Sequence, residues 1–253
     1  MLGNGRTIIN LRQAAIPMTA TRRYDNALKR DPGRKKISCA LTSVEVEKLM
    51  QILAEEFPNP KSALEFKNPF ELLCAVVLSA QATDASVNLA TPALFKAAPN
   101  AKSMAELGEE GIAPYIKKIG LWRAKSKNLA ALSKILCEKY GGDVPDSFDD
   151  LIALPGVGSK TANVVLNVAF GHPTIAVDTH IFRVCVRTGL CPLKNAREVE
   201  QALPAIIPEQ HKPQAHHRLL FHGRYVCTAR NPKCQSCVIN AICRYKNKTT
   251  DGK

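Results

Sequence analysis

The residues whose types and spacing point to chemistry are a lysine, an aspartate and four cysteines. Lys160 closes the stretch Leu154-Pro155-Gly156-Val157-Gly158-Ser159-Lys160. A short helix running into Pro155 cannot comfortably continue, and Gly156 and Gly158 allow a tight turn without Cβ clashes. The next helix starts at once, so its N-terminal backbone N–H groups stand bare, an arrangement that binds a phosphate without reading sequence. Lys160 falls in the first turn of that helix. There the positive end of the macrodipole disfavours an ammonium, and partial burial would disfavour it further. The unprotonated amine is the form that a Schiff-base nucleophile needs. These residues by themselves leave open a plain turn between helices, with the lysine touching phosphate as a point charge. Asp178, in Ala176-Val177-Asp178-Thr179-His180, is placed to cap the helix that follows. Near an amine nucleophile the same carboxylate can stabilise an oxocarbenium ion at a sugar carbon and assist proton transfers.

Four of the nine cysteines, Cys227, Cys234, Cys237 and Cys243, are spaced C-x6-C-x2-C-x5-C. The others, Cys39, Cys74, Cys137, Cys185 and Cys191, are scattered and read as ordinary core thiols. A disulfide framework is not expected, because no secretory signal opens the chain. Clustered thiolates mean a metal, either structural zinc or a [4Fe-4S] cluster, and with a single C-x-x-C the spacing alone leaves both open. Closing the loop Thr228 to Lys233 on that metal would direct Arg230 and Lys233 toward phosphates. His216, His217 and His222 stand just upstream and read as structural, since four cysteines already complete a shell.

The elements that must position these groups read as helices, and no run of alternating apolar and polar residues suggests a sheet. The fold class is all-α. Val44, Val46, Leu49, Met50, Leu53 and Phe57 mostly share one face of a helix that stops at Pro58 and Pro60. Pro69 starts another, whose apolar run Leu72 to Leu78 is too uniform for a surface helix and predicts a central, buried one. Ser103 with Glu106, and Ser147 with Asp150, resemble capping boxes. Ala124 to Tyr140 has helical spacing and ends at Gly141-Gly142. The helix after the hairpin carries Ala162, Val165, Leu166 and Ala169 on one face and stops at Gly171.

Lys and Arg outnumber Asp and Glu by 35 to 22 in 253 residues, and a net charge of +13 favours polyanionic partners. Residues 1 to 42, with nine basic and two acidic side chains, carry +7 of that and read as a flexible basic extension. The longest apolar stretch, Leu72 to Ala80, is far short of the roughly 20 residues a membrane helix needs. The chain reads as soluble, monomeric and cytoplasmic, with an organellar presequence left open by the Arg-rich, acid-poor N-terminus.

LPGVGSKTANVVLN followed by TIAVDTHIFRV resembles the helix-hairpin-helix-GPD superfamily of DNA glycosylases, the endonuclease III branch in particular. The match runs roughly from residue 43 to 247 and includes LLCAVVLSAQATD at 72 to 84 and HGRYVC at 222 to 227. The resemblance implies a hairpin nucleophile at Lys160, a catalytic carboxylate at Asp178 and a [4Fe-4S] cluster on the four cysteines. It implies two helical domains, residues 62 to 172 and residues 43 to 61 with 173 to 253, and double-stranded DNA lying in the groove between them. It also assigns Gln81 and Leu121 to fill the gap left by an extruded nucleotide; by residue type alone the first is a helix end and the second a core leucine. The hairpin glycines Gly156 and Gly158, together with Arg230 and Lys233, would contact DNA. Relatives often have a further basic residue where this chain has Asn231, which weakens phosphate contact slightly. The implied activity is excision of oxidised pyrimidines with strand cleavage at the abasic site. An adenine-mismatch glycosylase is the nearest enzymatic rival, but it usually lacks the hairpin lysine and adds a C-terminal domain. A DNA-binding module with a zinc knot is the non-enzymatic alternative.

Overall fold

The computed structural model describes residues 39–249, so the basic extension falls outside the described residues up to residue 38. All regular structure among the described residues is helical. The helices, in chain order, are α1 (Ser43–Glu56), α2 (Pro69–Ser79), α3 (Asp84–Ala97), α4 (Ala101–Ile116), α5 (Trp122–Tyr140), α6 (Phe148–Ile152), α7 (Ser159–Phe170), α8 (Thr179–Thr188), α9 (Ala196–Ile206) and α10 (Lys212–Phe221). A π-helical turn, His222–Val226, continues α10 into the cysteine segment.

Short polar side chains set most helix starts. Thr42 and Glu45 form a reciprocal capping box on α1, and Asn68 caps α2 with Pro69 at the first position, where its missing N–H costs nothing. Ser147 caps α6 as its spacing suggests. Ser103 does not start a helix. Asn100 caps α4 three residues earlier, and Ser103 is the partner that reaches back to it. The spacing S-x-x-E is satisfied, but Asn100 is the residue with the extended backbone that an N-cap requires. Gly141 and Gly171 end α5 and α7 in the left-handed conformation that glycine adopts without a Cβ penalty.

Two hydrophobic clusters organise the chain. The first runs from Leu64 to Leu166, with α2 at its centre and buried from Phe70 to Leu78. That helix packs against α7 and so holds the hairpin in place. The second is built by Leu41, by Val46 to Leu53 of α1, and by residues from Ile175 to Ile242. Polar contacts join them. Asn167 of α7 donates from Nδ2 to the carbonyls of His172, Thr174 and Pro213 at 2.9, 3.2 and 3.2 Å. Arg224 bridges to Asp84 at the start of α3 at 2.9 Å. No helix among the described residues is long and apolar enough to cross a membrane.

Leu132 is fully buried in the first cluster, whereas Leu89 is 86% exposed. Leu132→Ala is expected to destabilise the protein by about 2–5 kcal/mol in denaturant titrations, through lost burial and the cavity left behind. Leu89→Ala should stay within about 0.5 kcal/mol of the parent.

Candidate active site and cluster loop

Lys160 and Asp178 line one cavity at the junction of the two clusters. Its floor and walls come from both: Ser62, Ser79 and Val164 on one side, His216, Phe221 and Arg224 on the other. Lys160 is exposed, not partly buried as its position suggested. It sits in the first turn of α7. Gly158 occupies the N-cap with extended backbone and offers no side-chain acceptor, so the first N–H groups of α7 stay bare.

The two hairpin glycines differ in what they do. Gly156 has φ +78°, a conformation that strains any other residue, and an added Cβ would fall within 2.7 to 3.0 Å of the Asn128 side chain. Gly158 has φ −99° and open space around its α-carbon. The expectation that both are needed for the turn therefore holds only for Gly156, while Gly158 keeps side-chain bulk away from the open helix end.

Asp178 is the N-cap of α8, as read from sequence. Its Oδ1 accepts from the N–H groups of His180 and Ile181 at 2.9 and 2.8 Å. Both cap bonds use the same oxygen, which leaves Oδ2 for the cavity. One carboxylate can thus cap and face a reacting centre at the same time.

Gln81 and Leu121 lie outside this cavity's lining, yet share a feature that composition does not announce. They are the non-glycine residues with positive φ among the described residues, at 53° and 61°. Leu121 is also 59% exposed, and Gly120 packs against the Gln81 carbonyl, where an added Cβ would stand 3.5 Å away. Two adjacent loops therefore hold strained backbone and project side chains to solvent, a cost of order 1–3 kcal/mol each that clusters at functional positions.

The four cysteines line a second cavity, closed by Thr188, His222, Ile239 and Tyr245 among others. Burial pushes the Cys237 and Cys243 thiols up from their ordinary values, a cost that deprotonation on a metal removes. Among the described residues no three His, Cys, Asp or Glu converge on a single-ion site. Soft thiols arrayed around a cavity suit a cluster with one thiolate per iron. His222 approaches Cys237 Sγ through Nε2 at 3.8 Å and stays a neighbour rather than a ligand. Two arginines of α8 secure the loop. Arg183 donates to the carbonyls of Cys227 and Gly223, both at 2.8 Å, and Arg187 to those of Thr228 and Ala229 at 2.7 and 2.9 Å. Arg187 also stacks on Tyr245, 4.7 Å from the ring centroid. Arg230 and Lys233 are exposed on the loop so held.

Sequence reasoning missed the histidines. His216 is 4% exposed and lines the cavity with Lys160, and His217 lines it too. Read from sequence they are structural, and it is the docking of α10 against α8 and α1 that places them at the cavity. Also missed was the Arg224–Asp84 pair, whose partners are 140 residues apart.

Residues 74–209 match the profile of the HhH-GPD superfamily of base excision DNA repair proteins, and residues 227–243 match the iron-sulfur binding domain of endonuclease III. The chain is 55% identical to endonuclease III of Escherichia coli over 196 residues, which cover 78% of this chain and 93% of that protein. Against endonuclease III of Haemophilus influenzae it is 52% identical over the same shares. Among solved structures, a trapped endonuclease III–DNA covalent intermediate superposes with a TM-score of 0.75 at 45% identity, covering 81% of this chain and 96% of that one. A thermostable thymine-DNA glycosylase shares the fold at a TM-score of 0.74 and 22% identity. With its all-α architecture, its hairpin and a [4Fe-4S] iron-sulfur domain at residues 227–243, the chain belongs to the endonuclease III family of the HhH-GPD superfamily, which are DNA glycosylases with abasic-site lyase activity.

Proposed function

We propose that this enzyme removes oxidised pyrimidines from double-stranded DNA through a Lys160 Schiff base and cleaves the strand 3′ to the abasic site. The observation that carries the reading is the placement of Lys160 and Asp178 on one cavity, reached from two different hydrophobic clusters, with both cap bonds of Asp178 on a single oxygen. The amine attacks C1′ as the N-glycosidic bond breaks, and the base leaves with a proton. The sugar ring opens to an imine, and loss of a C2′ proton expels the 3′ phosphate by β-elimination. Asp178 stabilises the positive charge that develops at the sugar before the new bond is complete.

The base must leave the duplex first, at a cost of a few kcal/mol for unstacking. Gln81 and Leu121 are suited to occupy the gap, because each is presented on strained backbone at adjacent loops. The bare N-terminus at Gly156 and Gly158, with Arg230 and Lys233 across the site, supplies phosphate contacts. The two hydrophobic clusters support a division into domains of residues 62–172 and of residues 43–61 with 173–253, the groove between them taking the DNA. The cluster, held by its four cysteines, supplies a structural knot for the second of these. The family's DNA-bound structures support a duplex partner, and the chain is taken to work as a cytoplasmic monomer.

Borohydride should join the protein covalently to duplex carrying an abasic site. Lys160→Gln should abolish that trapping and strand cleavage while damaged DNA still binds. Full-yield trapping of the Gln variant would assign the nucleophile to another amine. Asp178→Asn keeps an N-cap oxygen, so its thermal midpoint should move little, while single-turnover base release falls by about 100-fold or more if the charge acts in the transition state. For the cluster, Cys237→Ser should lower iron content and impair folding or DNA binding, read by metal analysis and gel shift. Stoichiometric zinc without iron in the anaerobically purified parent would contradict the assignment.

A further inference from the structure

The cavity holds one more polar group, which the mechanism above leaves unused. His216 is buried, with 4% exposure, and its Nδ1 has no hydrogen-bond partner. The ring is held from two sides. Ala176 offers its backbone carbonyl to the ring as an acceptor, and with Nδ1 unpartnered the nitrogen left to meet it is Nε2. His217 packs edge-on against it at 4.9 Å between centroids and 82° between planes, and His217 in turn meets Phe221 at 6.5 Å. A proton fixed on Nε2 makes Nδ1 a lone-pair acceptor.

We infer that His216 Nδ1 is a specificity contact for the extruded base, accepting the imide N–H of an oxidised pyrimidine at the wall of the Lys160 cavity. This rests on the glycosylase reading given above and adds to it the group that reads the base edge. An unpaired buried acceptor is costly, and a base whose Watson–Crick edge carries an N–H relieves that cost on entry.

The competing role for a histidine beside a lysine nucleophile is general base. The charges around it argue against that. Burial, above all, pushes His216 down to about 3, with His217, Lys160 and Arg224 adding to it, while Asp178, Asp84 and Lys61 complete the charged lining. An imidazole so poor at holding a proton does not take one from an ammonium, but it still accepts a hydrogen bond from a neutral N–H.

The two roles separate on substrates with and without a base. Full-length holoenzyme, His216→Leu and His216→Asn are compared on duplexes containing thymine glycol, N3-methylthymine glycol or an abasic site, with iron content and thermal midpoint confirming the fold. His216→Leu should lose about ten- to a hundredfold in single-turnover excision of thymine glycol, and should not be slowed further by N3-methylation, which slows the parent. Borohydride trapping on abasic DNA should stay within about twofold of the parent, because that substrate lacks the contacted group. His216→Asn, whose amide reaches the Nδ1 position, should recover most of the excision. Equal loss of abasic trapping in His216→Leu would place His216 on Lys160 instead, and a Leu variant as sensitive to N3-methylation as the parent would remove the contact; either result overturns the inference. A parent that is not trapped on abasic DNA at all would instead remove the Schiff-base reading on which the inference stands.

Discussion

A single amide, that of Asn167, holds the two halves of the site in register. Lys160 belongs to a helix packed in the first hydrophobic cluster, whereas Asp178 begins a helix packed in the second. The chain crosses between them over residues 171–177, and that crossing is anchored by the three carbonyls gathered on Asn167 Nδ2 and by the Thr174 hydroxyl on the carbonyl of Asn163. Because Asn167 is two turns along α7 from Lys160, and because Pro213 lies at the start of α10, the same amide also sets where His216 meets the cavity. Hydrogen bonds of this kind contribute only about 1 kcal/mol each, but leaving a buried partner unmade costs more, so the crossing has few alternative arrangements.

The second shared constraint is the start of α8. Asp178 anchors it with two backbone hydrogen bonds, and one turn later Arg183 is tied to the carbonyls of Cys227 and Gly223. Arg187, a further turn along, grips the loop that displays Arg230 and Lys233. One rigid helix therefore spans from the carboxylate in the cavity to the cluster loop. The separation between the Asp178 carboxylate and the loop carrying Arg230 and Lys233 is then set by helix geometry rather than by flexible chain.

Among the described residues, left-handed backbone at non-glycine positions is found in two adjacent loops. Gln81 and Leu121 keep left-handed backbone although each could relax in isolation, because the fully buried α2 on one side and the α5 start on the other fix both loop ends. Such backbone persists only where its surroundings over-determine it. The Arg224–Asp84 bridge, partly shielded from solvent, adds a tie between the start of α3 and the π-helical turn after α10. The cavity that both residues line is thus held by a charge pair as well as by packing.

Much of this was legible in order of residues alone. Local rules suffice where cause and effect are a few residues apart: Pro69, Gly141, Gly171, the Asp178 cap and the cysteine spacing act within one turn, and the uniform apolar run of α2 can only be buried. Where two local signals competed, as with Asn100 and Ser103, backbone conformation chose between them. What the chain's order does not encode is which faces meet. That His216 turns into the Lys160 cavity, that Arg224 finds Asp84, that Lys160 stays exposed and that Gln81 and Leu121 share left-handed backbone all follow from the docking of distant helices. Side-chain periodicity says only that a residue is on the buried face of its helix, and the identity of its neighbour is decided when the two hydrophobic clusters close against each other.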